Sequence, residues 1–103
     1  MTKKDKLIEK QQEEQRELQK DIQRGEEALE KFKQQFNLIE DTSYNLSKNL
    51  KIIGDEELQN KFSEIHRSYE EDVHTANREI DDLYNKLAQM KKEHEVEIEK
   101  LEE

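Results

Sequence analysis

The chain contains no cysteine, no proline and no tryptophan, and only two of its 103 residues are glycine. Without cysteine there can be no disulfide and no thiol chemistry. Without proline, no residue other than glycine strongly opposes a continuous helix. Hydrophobic residues make up 30% of the chain, which is too little for a thick globular core in so short a sequence.

Charged residues, in contrast, make up 44% of the chain. High charge with few aromatic residues is typical either of disorder or of long helices with a narrow apolar seam. The net charge of −9 argues against nucleic-acid partners and against anionic membrane surfaces. The basic start, MTKKDKLIEK, is not followed by the apolar run of a secretory signal, and no stretch is apolar enough for membrane insertion. We therefore expect a cytoplasmic location.

Regular spacing of the apolar residues separates the helical alternative from the disordered one. In the first half they recur in alternating steps of three and four, which is a heptad pattern. Gln11, Gln15, Gly25 and Ser43 occupy the remaining positions of the series. We predict a helix over residues 3–52 whose apolar seam consists of Ile8, Leu18, Ile22, Leu29, Phe32, Phe36, Ile39, Leu46, Leu50 and Ile53.

A helix stop and a helix start adjoin at the middle of the chain. Gly54 is suited to the position just past a helix end, and Asp55 is suited to cap the next helix. We predict a turn over residues 53–55 and a second helix over 56–101. Its seam consists of Leu58, Phe62, Ile65, Tyr69, Val73, Ala76, Ile80, Leu83, Leu87, Met90 and Leu101.

Folding the chain at this turn predicts an all-α fold, with two long antiparallel helices in one coiled-coil-like hairpin domain over residues 1–103. We expect Ser43 to face Tyr69, Phe36 to face Ala76, and Gly25 to face Leu87. Small residues opposite large ones would keep the seam evenly thick. The alternative is one continuous rod, in which Gly54 is tolerated at a cost of about 1 kcal/mol.

No pattern in the sequence indicates an enzyme. A glycine-rich phosphate loop, a calcium loop and a catalytic triad are all missing, and we predict no cofactor and no metal site. His66, Glu70 and His74 are spaced four apart, so a pH- or metal-responsive helix pair is a minor hypothesis. His94 occupies a seam position near Leu18, in an arm end that we expect to be loosely packed.

A two-helix seam leaves most of each helix uncovered, so we expect a helical partner or self-association. Apolar residues outside the seam are the candidates for that contact. On the first helix they form a stripe of Leu38, Tyr44 and Ile52, and Tyr84 flanks the seam on the second. We predict that these four residues bind a partner protein.

A chain of this length, folded in half around a central glycine, resembles the WXG superfamily of hairpins from type VII secretion systems. It departs from the superfamily at the turn, where Ile52 replaces the tryptophan of the W-x-G element. The C-terminal Tyr-x-x-x-Asp/Glu signal is also missing, because Val73 follows Tyr69 and Ala88 follows Tyr84 at the fourth place.

The chain more closely resembles the small α-helical proteins encoded beside LXG toxins, which lack the W-x-G element and are rich in Glu, Lys and Gln. One sub-group carries a Phe-x-x-x-Asp element, whose nearest counterpart, Phe36 to Glu40, lies in the other arm. The resemblance implies a targeting factor or chaperone that binds the helical N-terminal LXG domain of a toxin, together with a second small helical protein or alone. The resemblance leaves open whether the protein is itself exported with that toxin through the type VII system. The alternative is a self-associating structural coiled coil, as a homodimer or homotetramer in a bacterial or phage assembly.

Overall fold

The computed structural model describes residues 2–49 and 55–102. It contains two α-helices, α1 (Lys3–Asn49) and α2 (Glu56–Glu102), and no β-strand occurs within these two ranges. The predicted all-α helical hairpin is confirmed. Four predicted positions lie outside the described residues. They are Leu50 of the seam, Ile52 of the contact stripe, Ile53 of the seam and the turn, and Gly54 of the turn.

Both helices begin with side-chain caps. The backbone N–H of Asp5 donates to Thr2 Oγ1 at 3.1 Å, and the N–H of Thr2 donates to Asp5 Oδ2 at 3.3 Å. The N–H of Leu58 donates to Asp55 Oδ1 at 3.1 Å, so Asp55 caps α2 as its residue type predicts. These contacts satisfy N–H groups that have no partner within the helix itself.

Segments of α1 and α2 pack together in two compact units. Unit 1 consists of Met1–Glu26 with Arg78–Glu103, and unit 2 consists of Glu27–Asn77. In unit 1 the core is a cluster of Leu18, Ile22 and Leu87, with Leu83 and Met90 packed against it. All five are seam residues, so the heptad pattern correctly predicts the buried face here.

Aromatic rings hold unit 2 together. Phe36 is buried and stacks on Tyr69, with ring centroids 3.9 Å apart and nearly parallel planes. Phe32 lies against the same ring at 5.4 Å, and His66 lies 6.2 Å from Phe36. Stacked aromatic pairs stabilise a contact by about 1 kcal/mol beyond the area they bury.

The register of the helices differs from the predicted one by one heptad. Phe36 stacks on Tyr69 instead of Ala76, and in unit 1 Gly25 lies against Ile80 instead of Leu87. Ser43 and Phe62, not Ser43 and Tyr69, line one groove. A shift by one heptad returns every seam residue to the seam, so the heptad pattern cannot distinguish the two registers.

The observed register can be described from the ends of the helices. Phe36 and Tyr69 are equally far along the chain from Asn49 and Glu56, and so are Gly25 and Ile80. Residues at equal distances from these two ends are called level below. Matching small residues to large ones is therefore not what aligns the helices, because the buried Phe36 is level with another large ring.

We expect Gly25→Ala to raise the free energy of unfolding by about 1 kcal/mol, the difference in helix propensity between the two residues. A β-carbon at position 25 would lie 3.6 Å from Ile80 Cγ1, an ordinary packing distance. Urea unfolding followed by circular dichroism measures the change. The reverse substitution Ala28→Gly, at an exposed site of α1, should lower stability equally. A less stable Gly25→Ala protein would show that the added methyl group clashes with Ile80.

Candidate functional site

Unit 2 contains an apolar groove between the two helices, with a volume of about 440 Å³. Six apolar or aromatic side chains line it, three from each helix. The complete lining, which defines the apolar groove, is Phe36, Ile39, Glu40, Asp41, Ser43, Tyr44, Leu58, Gln59, Phe62 and Ile65. Ile39 is 59% exposed, Ile65 is 54% exposed and Phe62 is 38% exposed.

The register explains why these side chains are uncovered. Ile39 is level with His66, and Ile65 is level with Glu40, so the residue level with each isoleucine is polar. Ser43, level with Phe62, is too small to cover an aromatic ring. Apolar burial requires apolar surface on both sides of the contact, and at each of these levels an apolar side chain of one helix is set against a polar residue of the other.

Several predicted seam residues are therefore not buried, and the seam interpretation is corrected for them. Phe32, Ile39, Leu46, Phe62 and Ile65 are exposed, and so is Leu101 of unit 1. Of the other seam residues in unit 2, Phe36 is buried, while Leu29, Leu58, Tyr69, Val73 and Ala76 are half-buried. In unit 1, Leu87 is buried, and Ile80 and Leu83 are half-buried.

The three described residues of the predicted contact set, Leu38, Tyr44 and Tyr84, are all exposed. Leu38 and Tyr44 are both exposed on α1, but only Tyr44 lines the apolar groove. Tyr84 belongs to unit 1, where its hydroxyl donates to Glu26 and borders a shallow depression beside Ile22 and Leu87. The hydrogen bond to Glu26 raises the pKa of Tyr84 above its usual value.

His66 bridges the two helices beside the groove. Its Nδ1 lies 2.6 Å from Glu40 Oε1 on α1, and its Nε2 lies 2.9 Å from Glu70 Oε1 on α2. Carboxylates only accept hydrogen bonds, so both ring nitrogens donate, and only the protonated imidazole carries two N–H groups. The bridge is therefore complete when His66 is positively charged.

The same contacts raise the pKa of His66 above its usual value. The hydrogen bond from His66 to Glu40 is the largest cause of the rise. Desolvation of the ring lowers the pKa, while the charges of Glu40 and Glu70 and the hydrogen bond to Glu70 raise it further. His74, the other histidine of the minor hypothesis, has no part in this bridge. No cluster of three or more His, Cys, Asp or Glu residues suited to a metal ion occurs in the described ranges.

Unit 1 contains a buried polar layer in place of the expected loose end. His94 is only 6% exposed, and Gln11 is similarly buried. Gln15 Nε2 lies 2.8 Å from His94 Nδ1, and His94 Nε2 lies 3.2 Å from Glu14 Oε2, contacts that the Nε2–H tautomer satisfies. Gln11 Nε2 donates to the His94 carbonyl at 3.2 Å. Every polar side chain that is well buried in this layer has a partner.

Sequence reasoning missed Ile39, Phe62 and Ile65 as surface residues because their heptad positions are those of a core. One signal could have identified them. Gln11 and His94 are polar seam residues on different helices, and pairing them predicts the register that the structure has. In that register the isoleucines meet polar residues.

Comparison with models of protein families, with curated proteins and with solved structures finds no match for this chain. Neither described helix contains an apolar stretch long enough to cross a bilayer. The function is therefore inferred from the groove and from the resemblance described above.

We expect the stability of unit 2 to fall as pH rises through the pKa of His66. Because that pKa is raised on folding, the bridge contributes fully below the unfolded value of about 6.5 and is lost above the folded value. Thermal melts between about pH 6 and pH 9 should show a loss in melting temperature that His66→Gln abolishes. His74→Gln is the matched control and should retain the loss. An unchanged pH dependence in His66→Gln would contradict the bridge.

We expect His94→Leu to lower the free energy of unfolding by about 1–3 kcal/mol, because the half-buried amide of Gln15 loses its partner. Chemical denaturation measures this change. His74→Leu, at an exposed site on the same helix, should change stability by less than about 0.5 kcal/mol. A more stable His94→Leu protein would mean that apolar burial outweighs the hydrogen bonds of the layer.

Proposed function

We propose that this protein is a non-enzymatic binding partner that holds a helix of another protein in the apolar groove of unit 2. The single observation that carries the proposal is the exposure of Ile39 and Ile65 on opposite walls of one groove. Contiguous apolar surface with a polar rim is typical of protein interaction sites.

Covering this surface with a partner helix would contribute a few kcal/mol to the free energy of binding. A fully buried isoleucine or phenylalanine contributes about 1.5–3 kcal/mol, and Ile39, Phe62 and Ile65 retain about half of their exposure. Burying what remains of the three would therefore contribute a few kcal/mol. Domains of this size are stable by only about 5–15 kcal/mol, so the contribution is large on that scale.

A helix is the occupant that the walls favour. Two helices with a groove between them accept a third helix, which packs its apolar stripe into the groove. Tyr44 and Phe62 add aromatic surface of the kind that is enriched at interfaces. No sheet edge occurs within the described residues, so an extended peptide has no strand with which to pair.

We further propose that the partner is the N-terminal LXG domain of a toxin and that this protein acts as its targeting factor or chaperone in type VII secretion. This step depends on the resemblance in length, heptad pattern and composition, whereas the groove supports helix binding alone. On this proposal the protein acts in the cytoplasm and is exported with its partner or released before export.

Self-association is the second candidate, because a second copy could also cover the groove. Each copy carries a net charge of −9, and like charges oppose association. A partner of different charge is thus favoured over a homodimer or homotetramer.

Two adjacent residues provide a matched test. Ile39 lines the groove and Leu38 does not, although both are exposed on α1. The protein is co-expressed with the tagged product of any neighbouring gene that encodes an LXG domain. We expect Ile39→Glu to weaken co-purification at least about thirtyfold, the usual effect of losing a central interface residue, and Leu38→Glu to have little effect.

Circular dichroism of each variant confirms that the helices remain folded. Loss of binding in Leu38→Glu alone would place the contact on the exposed stripe predicted from the sequence and would reject the groove. No binding by the unmodified protein would reject the toxin partner. Light scattering that shows a dimer sensitive to Ile39→Glu would support self-association instead.

A further inference from the structure

We infer that the apolar groove selects an amphipathic helix that carries Lys or Arg along one flank of its apolar stripe. This inference rests on the proposed function and specifies the chemistry of the partner. It follows from the length of the groove and from the distribution of charge on its walls.

The groove accommodates about two turns of helix. Its α1 wall extends from Phe36 to Tyr44 and its α2 wall from Leu58 to Ile65, which at 1.5 Å per residue is about 10–12 Å. Apolar residues at positions i, i+4 and i+7 of a partner helix cover that distance on one face. A short stripe of this kind is sufficient to fill the groove.

Charge on the described lining residues is of one sign and on one wall. Glu40 and Asp41 are the acidic side chains of this lining, and both belong to α1, whereas the α2 wall is formed by Leu58, Gln59, Phe62 and Ile65. The side chain of Asp41 makes no hydrogen bond or ion pair with another described residue. A partner with basic residues beside its stripe would place them along the α1 wall.

His66 modifies the charge that the partner meets. When protonated, it donates to Glu40 and Glu70, and it offsets part of the negative charge at the groove. When neutral, it carries one N–H and no charge, so it no longer offsets the negative charge of Glu40. The preference for a basic flank should therefore strengthen as pH rises through the pKa of His66. The stability that the His66 bridge contributes falls over the same pH range.

The test uses the full chain and two synthetic helical peptides with the same leucine stripe, one with lysines and one with glutamates along one flank. Fluorescence anisotropy measures their affinities at low salt. We expect the lysine peptide to bind at least about fivefold more tightly, since two exposed ion pairs of ordinary strength contribute that much. In about 1 M salt the difference should disappear.

The double variant Glu40→Gln/Asp41→Asn should reduce the difference between the peptides to less than about twofold. The matched control is Glu71→Gln/Asp72→Asn, which removes two exposed carboxylates of unit 2 outside the groove lining. It should retain most of the preference. Equal loss in both double variants would mean that net charge, not the groove wall, selects the peptide, and would overturn the inference.

Other outcomes separate this inference from the proposed function. Equal binding of both peptides, reduced by Ile39→Glu, would overturn the charge preference and leave helix binding intact. Failure of both peptides to bind would overturn the two together. A dimer of the free protein that Ile39→Glu disrupts would identify a second copy as the occupant and would likewise overturn the inference.

Discussion

Apolar side chains on α1 are covered only where α2 brings apolar side chains level with them, and both units depend on this matching. In unit 1, Leu18 is level with Leu87, and both side chains are buried. In unit 2 the match extends to the stack of Phe36 on Tyr69 and ends there. Beyond it, Ile39 meets a histidine. Since the hydrophobic effect is proportional to the apolar area removed from water, the first set of contacts holds the helices and the second leaves a surface open.

Much of this fold could be predicted from the sequence. The heptad spacing predicts both helices, and Asp55 predicts the start of the second, because helix propensity and capping are local properties. Register is not local. Moving α2 by one heptad exchanges Ala76 for Tyr69 opposite Phe36 without removing any residue from the seam. Since the site depends on which residues are level, Ile39 and Ile65 could not be recognised from periodicity alone.

The polar layer of unit 1 distinguishes the two registers, which the heptad pattern alone does not. In the register predicted from the sequence, His94 would be level with the apolar Leu18 and not with Gln11. In the observed register His94 contacts Gln15 and Glu14, and Gln11 reaches its carbonyl. A single polar seam position is known to select register in coiled coils at some cost in stability. Gln11 and His94 have the same effect in this unit.

The apolar groove and the polar layer thus both depend on the register of the helices. In the observed register His94 of unit 1 has hydrogen-bond partners. In the same register Ile39 and Ile65 of unit 2 are level with polar residues. Leucines at positions 59 and 66 would cover the groove, but Gln59 and His66 stand there instead. A hairpin with such a gap is less stable alone than its helices allow. A partner that fills the gap then stabilises the folded chain in proportion to the logarithm of its concentration over its dissociation constant. Binding and folding are for that reason coupled through the same few isoleucine and phenylalanine side chains.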